Sequence, residues 1–86
     1  MNLSLVDISG SVLVISQFTL CADTRKGRRP SFVNAESPEL SKKLYNKFIS
    51  CLADKGLEVQ SGEFGSNMDV KLVNNGPVTF VLDSED

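Results

Sequence analysis

Ser16, Gln17 and Thr19 are polar side chains set into a run of strand-forming apolar residues that extends from Val12 to Leu20. With Phe18 between them, they bring two hydroxyls, a carboxamide and several backbone amides to one short stretch. Such groups can hold a developing oxyanion or orient a water. The chain has no histidine. A threonine hydroxyl without a nearby general base is a poor nucleophile, so Thr19 is not expected to attack a substrate itself. Any chemistry here must run on backbone amides, hydroxyls, a carboxamide or the substrate's own groups. The plain alternative is a strand whose polar side chains make local hydrogen bonds.

Two other stretches invite a functional reading. Arg25, Lys26, Arg28 and Arg29 surround Gly27, so four of the nine cations lie within five residues. The chain as a whole carries a net charge of −2, and three acids occupy its last four positions. A local basic loop on a mildly acidic protein points to a focused anion site rather than general polyanion binding. The run reads equally as a solvated loop, with some arginines paired to acids. Further on, Phe64 and Met68 flank Gly65-Ser66-Asn67, and Asn74-Asn75-Gly76-Pro77 precedes Val78-Thr79. Asn-Gly marks a tight turn, because both residues tolerate positive φ. A Gly-Pro bond has a trans preference of only about 0.5–1 kcal/mol, which makes a cis form feasible.

These residues need elements to position them. Leu3, Leu5 and Val6 alternate up to Ser9-Gly10, and Val12–Ile15 is a β-branched run leading into Gln17–Leu20. This predicts a hairpin turning at residues 8–11. Alternation would place Gln17 and Thr19 on one face, with Ser16 and Phe18 on the other. Residues 21–36 read as a long exposed loop, and loops of that length in compact domains are usually functional. The helix is sharply marked. Ser37 suits the N-cap, Pro38 the first turn and Glu39 the positive end of the dipole. Leu40, Leu44, Phe48 and Leu52 recur every fourth residue, Tyr45 and Ile49 widen the stripe, and Lys55-Gly56 marks the stop. Short strands are expected at 57–61, 68–73 and 78–82. The pattern predicts a mixed α/β fold: a curved, mainly antiparallel sheet with one principal helix packed on it.

Composition narrows the classes. Eighty-six residues suggest one domain, spanning 1–86. A chain of this size buries only about 60–65% of its unfolded surface, so help from a partner chain is a reasonable expectation. No apolar run approaches the roughly 20 residues that span a bilayer, and no signal peptide is recognisable. Cys21 and Cys51 are too few for a disulfide framework and lack zinc spacing, which predicts free thiols and a cytoplasmic location. Cys21 has no evident base partner, so thiol catalysis is not expected. No metal and no cofactor are implied, since the acids show no ligand spacing.

The segment Ser16-Gln17-Phe18-Thr19-Leu20, the following Ala22-Asp23-Thr24-Arg25-Lys26-Gly27-Arg28-Arg29-Pro30-Ser31-Phe32 and the late Asn-x-Gly-Pro-Val-Thr element resemble the D-aminoacyl-tRNA deacylase family. The resemblance runs along essentially the whole chain, with the motifs in the family's order. It covers about the C-terminal three-fifths of a typical member, which predicts further strands and a helix ahead of a segment like Met1–Leu5. Cys21 stands where the family often has an aromatic residue or alanine, and Asn75 where aspartate is common.

The resemblance implies hydrolysis of the ester joining a D-amino acid, or glycine mischarged on an alanine tRNA, to the terminal adenosine of tRNA. It implies a homodimer with the active site at the subunit interface. Backbone amides around Ser16, Gln17, Phe18 and Thr19 would form the oxyanion pocket, and the 2′-hydroxyl of the terminal ribose, with water, would handle the proton. Gly76-Pro77 would adopt a cis peptide and enter the neighbouring protomer's pocket. Carbonyls there would exclude an L side chain by steric overlap, with Val78 and Thr79 adjoining the substrate. Phe64 and Met68 would contact the terminal adenine, with core packing the equally weighted alternative. Arg25, Lys26, Arg28 and Arg29 would meet phosphates of the acceptor end.

Overall fold

The computed structural model of the chain describes residues 2–25, 27–32 and 35–84. The order of elements is strand β1 (Ser11–Val14), a single 3-10 turn (Phe18–Cys21), helix α1 (Pro38–Asp54) and strand β2 (Glu58–Ser61). The class is mixed α/β with one principal helix, as the sequence pattern predicts.

Helix α1 begins and ends where its caps dictate. The Ser37 hydroxyl accepts a hydrogen bond from the Leu40 amide at 3.4 Å, and Pro38 occupies the first turn, where its missing N–H costs nothing. Lys55 is the C-cap, and Gly56 follows at φ +84°, a left-handed conformation that glycine adopts without strain. The apolar stripe divides into two flanks. Ser41, Tyr45, Ile49 and Leu52 are half-buried, and α1 packs against β2. Leu40, Leu44 and Phe48 remain exposed on the other flank.

Strand direction departs from expectation. β1 and β2 pair in parallel, with Ser11 opposite Glu58, Val12 opposite Val59, Leu13 opposite Gln60 and Val14 opposite Ser61. Parallel neighbours need a long crossover, and the basic loop and α1 supply it. The expected hairpin at 8–11 does not form among the described residues. Residues 5–9 make a turn instead, closed by Ser9 N–H to the Val6 carbonyl at 3.1 Å and Gly10 N–H to the Leu5 carbonyl at 3.0 Å. Ser4 and Asp7 stabilise it reciprocally: the Ser4 amide donates to Asp7 Oδ2 at 2.8 Å and the Asp7 amide to Ser4 Oγ at 3.1 Å. Donation from the Ser4 amide holds the Asp7 carboxyl below its usual range.

The strand expected through Gln17–Leu20 stops at Val14, and the chain tightens into the 3-10 turn. Residues 68–73 and 78–82 form no ladder among the described residues. Their apolar side chains lie open, with Val73 at 94% and Leu82 at 92% exposure. Extended chain without a neighbour has nothing to hydrogen-bond along its edge. The Gly76–Pro77 peptide is cis. The core is minimal: Leu57, between α1 and β2, is the buried hydrophobic residue among those described. No described helix is long and apolar enough to cross a membrane.

Candidate active site

A cavity of about 760 Å³ opens beyond the carboxyl ends of both strands. Its walls come from the segment after β1 (Ile15–Thr19 and Cys21), the segment after β2 (Phe64–Met68 and Val70) and the start of α1 (Glu36, Pro38 and Ser41). Open α/β sheets place ligand crevices at this end of their strands. The volume lies in the range of small-ligand sites.

The segment after β1 supplies the polar wall. Gln17 is extended, at φ −154° and ψ 92°, and the chain then tightens so that Leu20 N–H donates to the Gln17 carbonyl at 3.4 Å. The Phe18 and Thr19 amides lie ahead of the first i→i+3 bond of this turn, as the leading donors of any helical turn do. The Gln17 carboxamide donates to the Thr19 hydroxyl. Gln17 and Thr19 are thus brought together, though by this short turn rather than by strand alternation. Phe18 is exposed and meets Phe32 edge to face, with ring centroids 5.0 Å apart.

Tyr45 joins the two walls. Its hydroxyl donates to the Val14 carbonyl at 3.0 Å and has the Gly62 carbonyl at 3.4 Å as a second acceptor. Val14 ends β1 and Gly62 directly follows β2, so one side chain of α1 fixes the point where both strands enter the cavity. The Tyr45 ring also packs edge to face on Phe64, with centroids 5.5 Å apart. Phe64 and Met68 are half-buried and both line the cavity. The Met68 sulfur lies directly over Gly62, where an added Cβ would overlap it, with Ile15 Cδ1 at 3.5 Å. Gly62→Ala should therefore push Met68 into the cavity while barely disturbing the backbone. We expect an unchanged melting profile and a shifted Met68 methyl resonance. An unmoved Met68 methyl signal would show that the side chain need not leave its place over Gly62.

The remaining candidates lie elsewhere. Gly76, Pro77, Val78 and Thr79 do not line this cavity, and Val78 is 52% exposed. Arg25, Arg28 and Arg29 are exposed on the loop, and Lys26 lies outside the described residues. Arg25 is engaged by Asp23, whose carboxylate accepts from the Arg25 guanidinium at 3.0 and 3.1 Å. That side-chain contact, followed by donation from the Arg25 amide, holds the Asp23 carboxyl below its usual range.

Glu36 and Ser41 line the cavity without having been candidates. Glu36 Oε1 accepts from the Ser37 amide at 2.8 Å, and the Ser41 hydroxyl donates to the Glu36 carbonyl at 3.3 Å. The signal for both was the Ser-Pro helix start, which points the entry of α1 toward the ends of the strands.

The sequence matches the model of the D-Tyr-tRNA(Tyr) deacylase family over residues 1–83. The chain belongs to this family. It is 56% identical over 85 residues to the D-aminoacyl-tRNA deacylase of Bacillus licheniformis, covering 99% of this chain and 58% of that relative. It is 54% identical to the D-aminoacyl-tRNA deacylase of Thermosipho africanus, again over 99% of this chain and 57% of the relative. A protein of Bacillus subtilis named inactive D-aminoacyl-tRNA deacylase is also 54% identical, with 64% of its length covered. This deacylase-family chain therefore spans about three-fifths of the length of the curated relatives it matches.

Proposed function

We propose that the chain forms the substrate pocket of a hydrolase that cleaves the ester of D-aminoacyl-tRNA. The observation carrying this reading is one cavity that joins the amide- and hydroxyl-bearing Ser16–Thr19 segment to the Phe64–Met68 wall, in a chain of the deacylase family. The terminal adenine enters against Phe64 and Met68, an aromatic ring and a flexible thioether suited to a flat heterocycle. This places the ester carbonyl near the Phe18 and Thr19 amides, which stabilise the oxyanion as water adds. The chain supplies no histidine. As the family resemblance implies, the 2′-hydroxyl of the substrate's terminal ribose and water carry the proton to the departing 3′-oxygen. Glycine, which lacks a side chain, passes the same steric filter, so glycyl-tRNA mischarged on an alanine tRNA is a second substrate.

Selection for the D form falls to Gly76 and Pro77 acting in a second copy. In its own subunit this pair lies apart from the cavity, within a segment whose Val73, Val81 and Leu82 are almost fully exposed. A homodimer covers that segment and brings main-chain carbonyls to the substrate's α-carbon. Val78 and Thr79 flank the inserted pair. A main-chain wall excludes an L side chain without reading which amino acid it is. Arg28 and Arg29 hold acceptor-end phosphates, and the site of action is the cytoplasm, where tRNA is charged.

The experiment is deacylation of D-Tyr-tRNA and L-Tyr-tRNA. The D ester should decay in proportion to chain concentration while the L ester decays at the rate of buffer. Equal decay of both at the buffer rate would remove the catalytic reading for this chain. A second reading, acceptor-end binding without turnover, draws on the relative named inactive, which is as similar to this chain as one of the relatives named as a deacylase. Salt-sensitive tRNA binding with no loss of the D ester would favour it.

A further inference from the structure

The basic run 25–29 behaves as one charge cluster in sequence, but its geometry separates it. Asp23 and Ser31 exchange backbone hydrogen bonds, with Asp23 N–H donating to the Ser31 carbonyl at 2.6 Å and Ser31 N–H to the Asp23 carbonyl at 2.8 Å. This closes the loop at its base. The Asp23 carboxylate then accepts from the Arg25 amide at 3.0 Å, from Arg25 Nε at 3.1 Å and from Arg25 Nη2 at 3.0 Å. An aspartate bonded to the amide two residues ahead shapes a turn, and a forked guanidinium contact fixes direction as well as charge. Gly27 stands at φ +72° ahead of Arg28 and Arg29, with open space where a side chain would lie. Among the described residues neither of these arginines has an ion-pair or hydrogen-bond partner. Beyond Ser31, Phe32 packs on Phe18, which lines the cavity.

We propose that Asp23 and Arg25 act as a positioning brace that aims the arm from a base tied to the cavity, while Arg28 and Arg29 make the phosphate contacts. The proposal rests on the reading of this chain as one that binds a tRNA acceptor end. Within the arm the Asp23 and Arg25 charges cancel. The field offered to RNA then comes from the remaining cations of the run, Lys26, Arg28 and Arg29, and the Phe18–Phe32 contact couples the arm to the segment that meets the ester. A negative charge retained beside a polyanion site is unfavourable by charge alone. Its place here follows from what it holds.

The test is binding of an uncharged tRNA acceptor-end hairpin to the full chain across a salt series. Arg28→Ala and Arg29→Ala should each flatten the slope of log affinity against log salt by about 0.7–0.9, the loss of one phosphate contact. Asp23→Asn removes a negative charge, so simple electrostatics predicts tighter binding. The brace predicts the opposite sign, a loss of about three- to fivefold, the scale of an exposed ion pair, with the slope unchanged. The Asp23→Asn/Arg25→Gln double variant should bind no worse than Asp23→Asn alone, because the two residues work as a unit. Helix content by circular dichroism and amide exchange at Ser31 establish that each variant keeps α1 and report whether the arm base has loosened. Tighter binding by Asp23→Asn, or protected Ser31 exchange in that variant, overturns the brace. Unchanged slopes for both Arg28→Ala and Arg29→Ala overturn the phosphate half, and with it the RNA reading of the arm, whatever Asp23→Asn does.

Discussion

The isolated chain should melt over a broad range and bind a hydrophobic dye strongly at room temperature. A folded monomer of 9.4 kDa is expected to expose about 5,000 Å², whereas this chain exposes 8058 Å². Its radius of gyration is 15.2 Å, against about 12 Å for a compact domain of 86 residues. The excess of about 3,000 Å² on one chain exceeds the share of about 1,000–2,500 Å² that one partner gives to most obligate interfaces. Exposed apolar side chains contribute to it from residues 3–20, from the Leu40, Leu44 and Phe48 flank of α1, and from residues 72–82. Tyr45 is the sole tyrosine and there is no tryptophan, so tyrosine emission reports the α1–cavity junction alone, while ellipticity reports α1. The two curves should not coincide in dilute solution. Both should sharpen, and dye binding should fall, as concentration rises and copies cover each other's strips. A single sharp transition that is independent of concentration, without dye binding, would show that the chain forms a self-sufficient core.

What the sequence made legible follows the range of the interactions involved. The bounds of α1 were readable because Ser37, Pro38 and Gly56 act on the backbone within a few residues. The strand at Val12 was readable from its apolar, largely β-branched run, and the strand at Val59 from the short stretch 57–61 that follows the helix stop. Their parallel pairing was not, because it depends on how the chain travels across the crossover between Val14 and Glu58. The width of the helical stripe was evident, but which flank meets the sheet was not. Leu40, Leu44 and Phe48 are as apolar as Ile49 and Leu52, and only the placement of β2 distinguishes them. Residues 68–73 and 78–82 carry strand-forming types yet pair with nothing described, since β propensity expresses itself through neighbours.

The site divides in the same way. Ser16–Thr19 and Phe64–Met68 were singled out from residue type and resemblance, and the fold sets them on one cavity. The 3-10 turn at Phe18–Cys21 gave no local signal, because a single turn has little propensity of its own and Phe-Thr-Leu favours strand. An arginine paired to an acid was expected in this loop, but which two residues meet was not, because that depends on the turn at Asp23, whose carboxylate bonds the Arg25 amide as well as its guanidinium.

Tyr45 should be the most sensitive single position for the shape of the cavity. Its hydroxyl serves the Val14 and Gly62 carbonyls, and its ring supports Phe64. Tyr45→Phe keeps the ring and removes the donor, leaving a partly buried carbonyl without its partner, at a cost of about 1 kcal/mol. Tyr45→Ala also removes the ring between α1 and the two strand ends, at about 3 kcal/mol, the lower end of aromatic truncations because the residue is only half-buried. We expect adenosine monophosphate affinity to fall by less than about tenfold in the first variant, whose ring still supports Phe64, and by more than about tenfold in the second, the scale of a displaced methylene in an apolar pocket. Chemical shifts at Val14 and Gly62 should move in both variants, and those at Phe64 chiefly in Tyr45→Ala. The order matters more than the sizes. If Tyr45→Phe matches the parent while Tyr45→Ala fails, the ring alone holds the wall and the two carbonyls find other donors. If Tyr45→Ala also binds like the parent, the strand ends are held in register by β1–β2 pairing, and the cavity does not depend on the Tyr45 contacts.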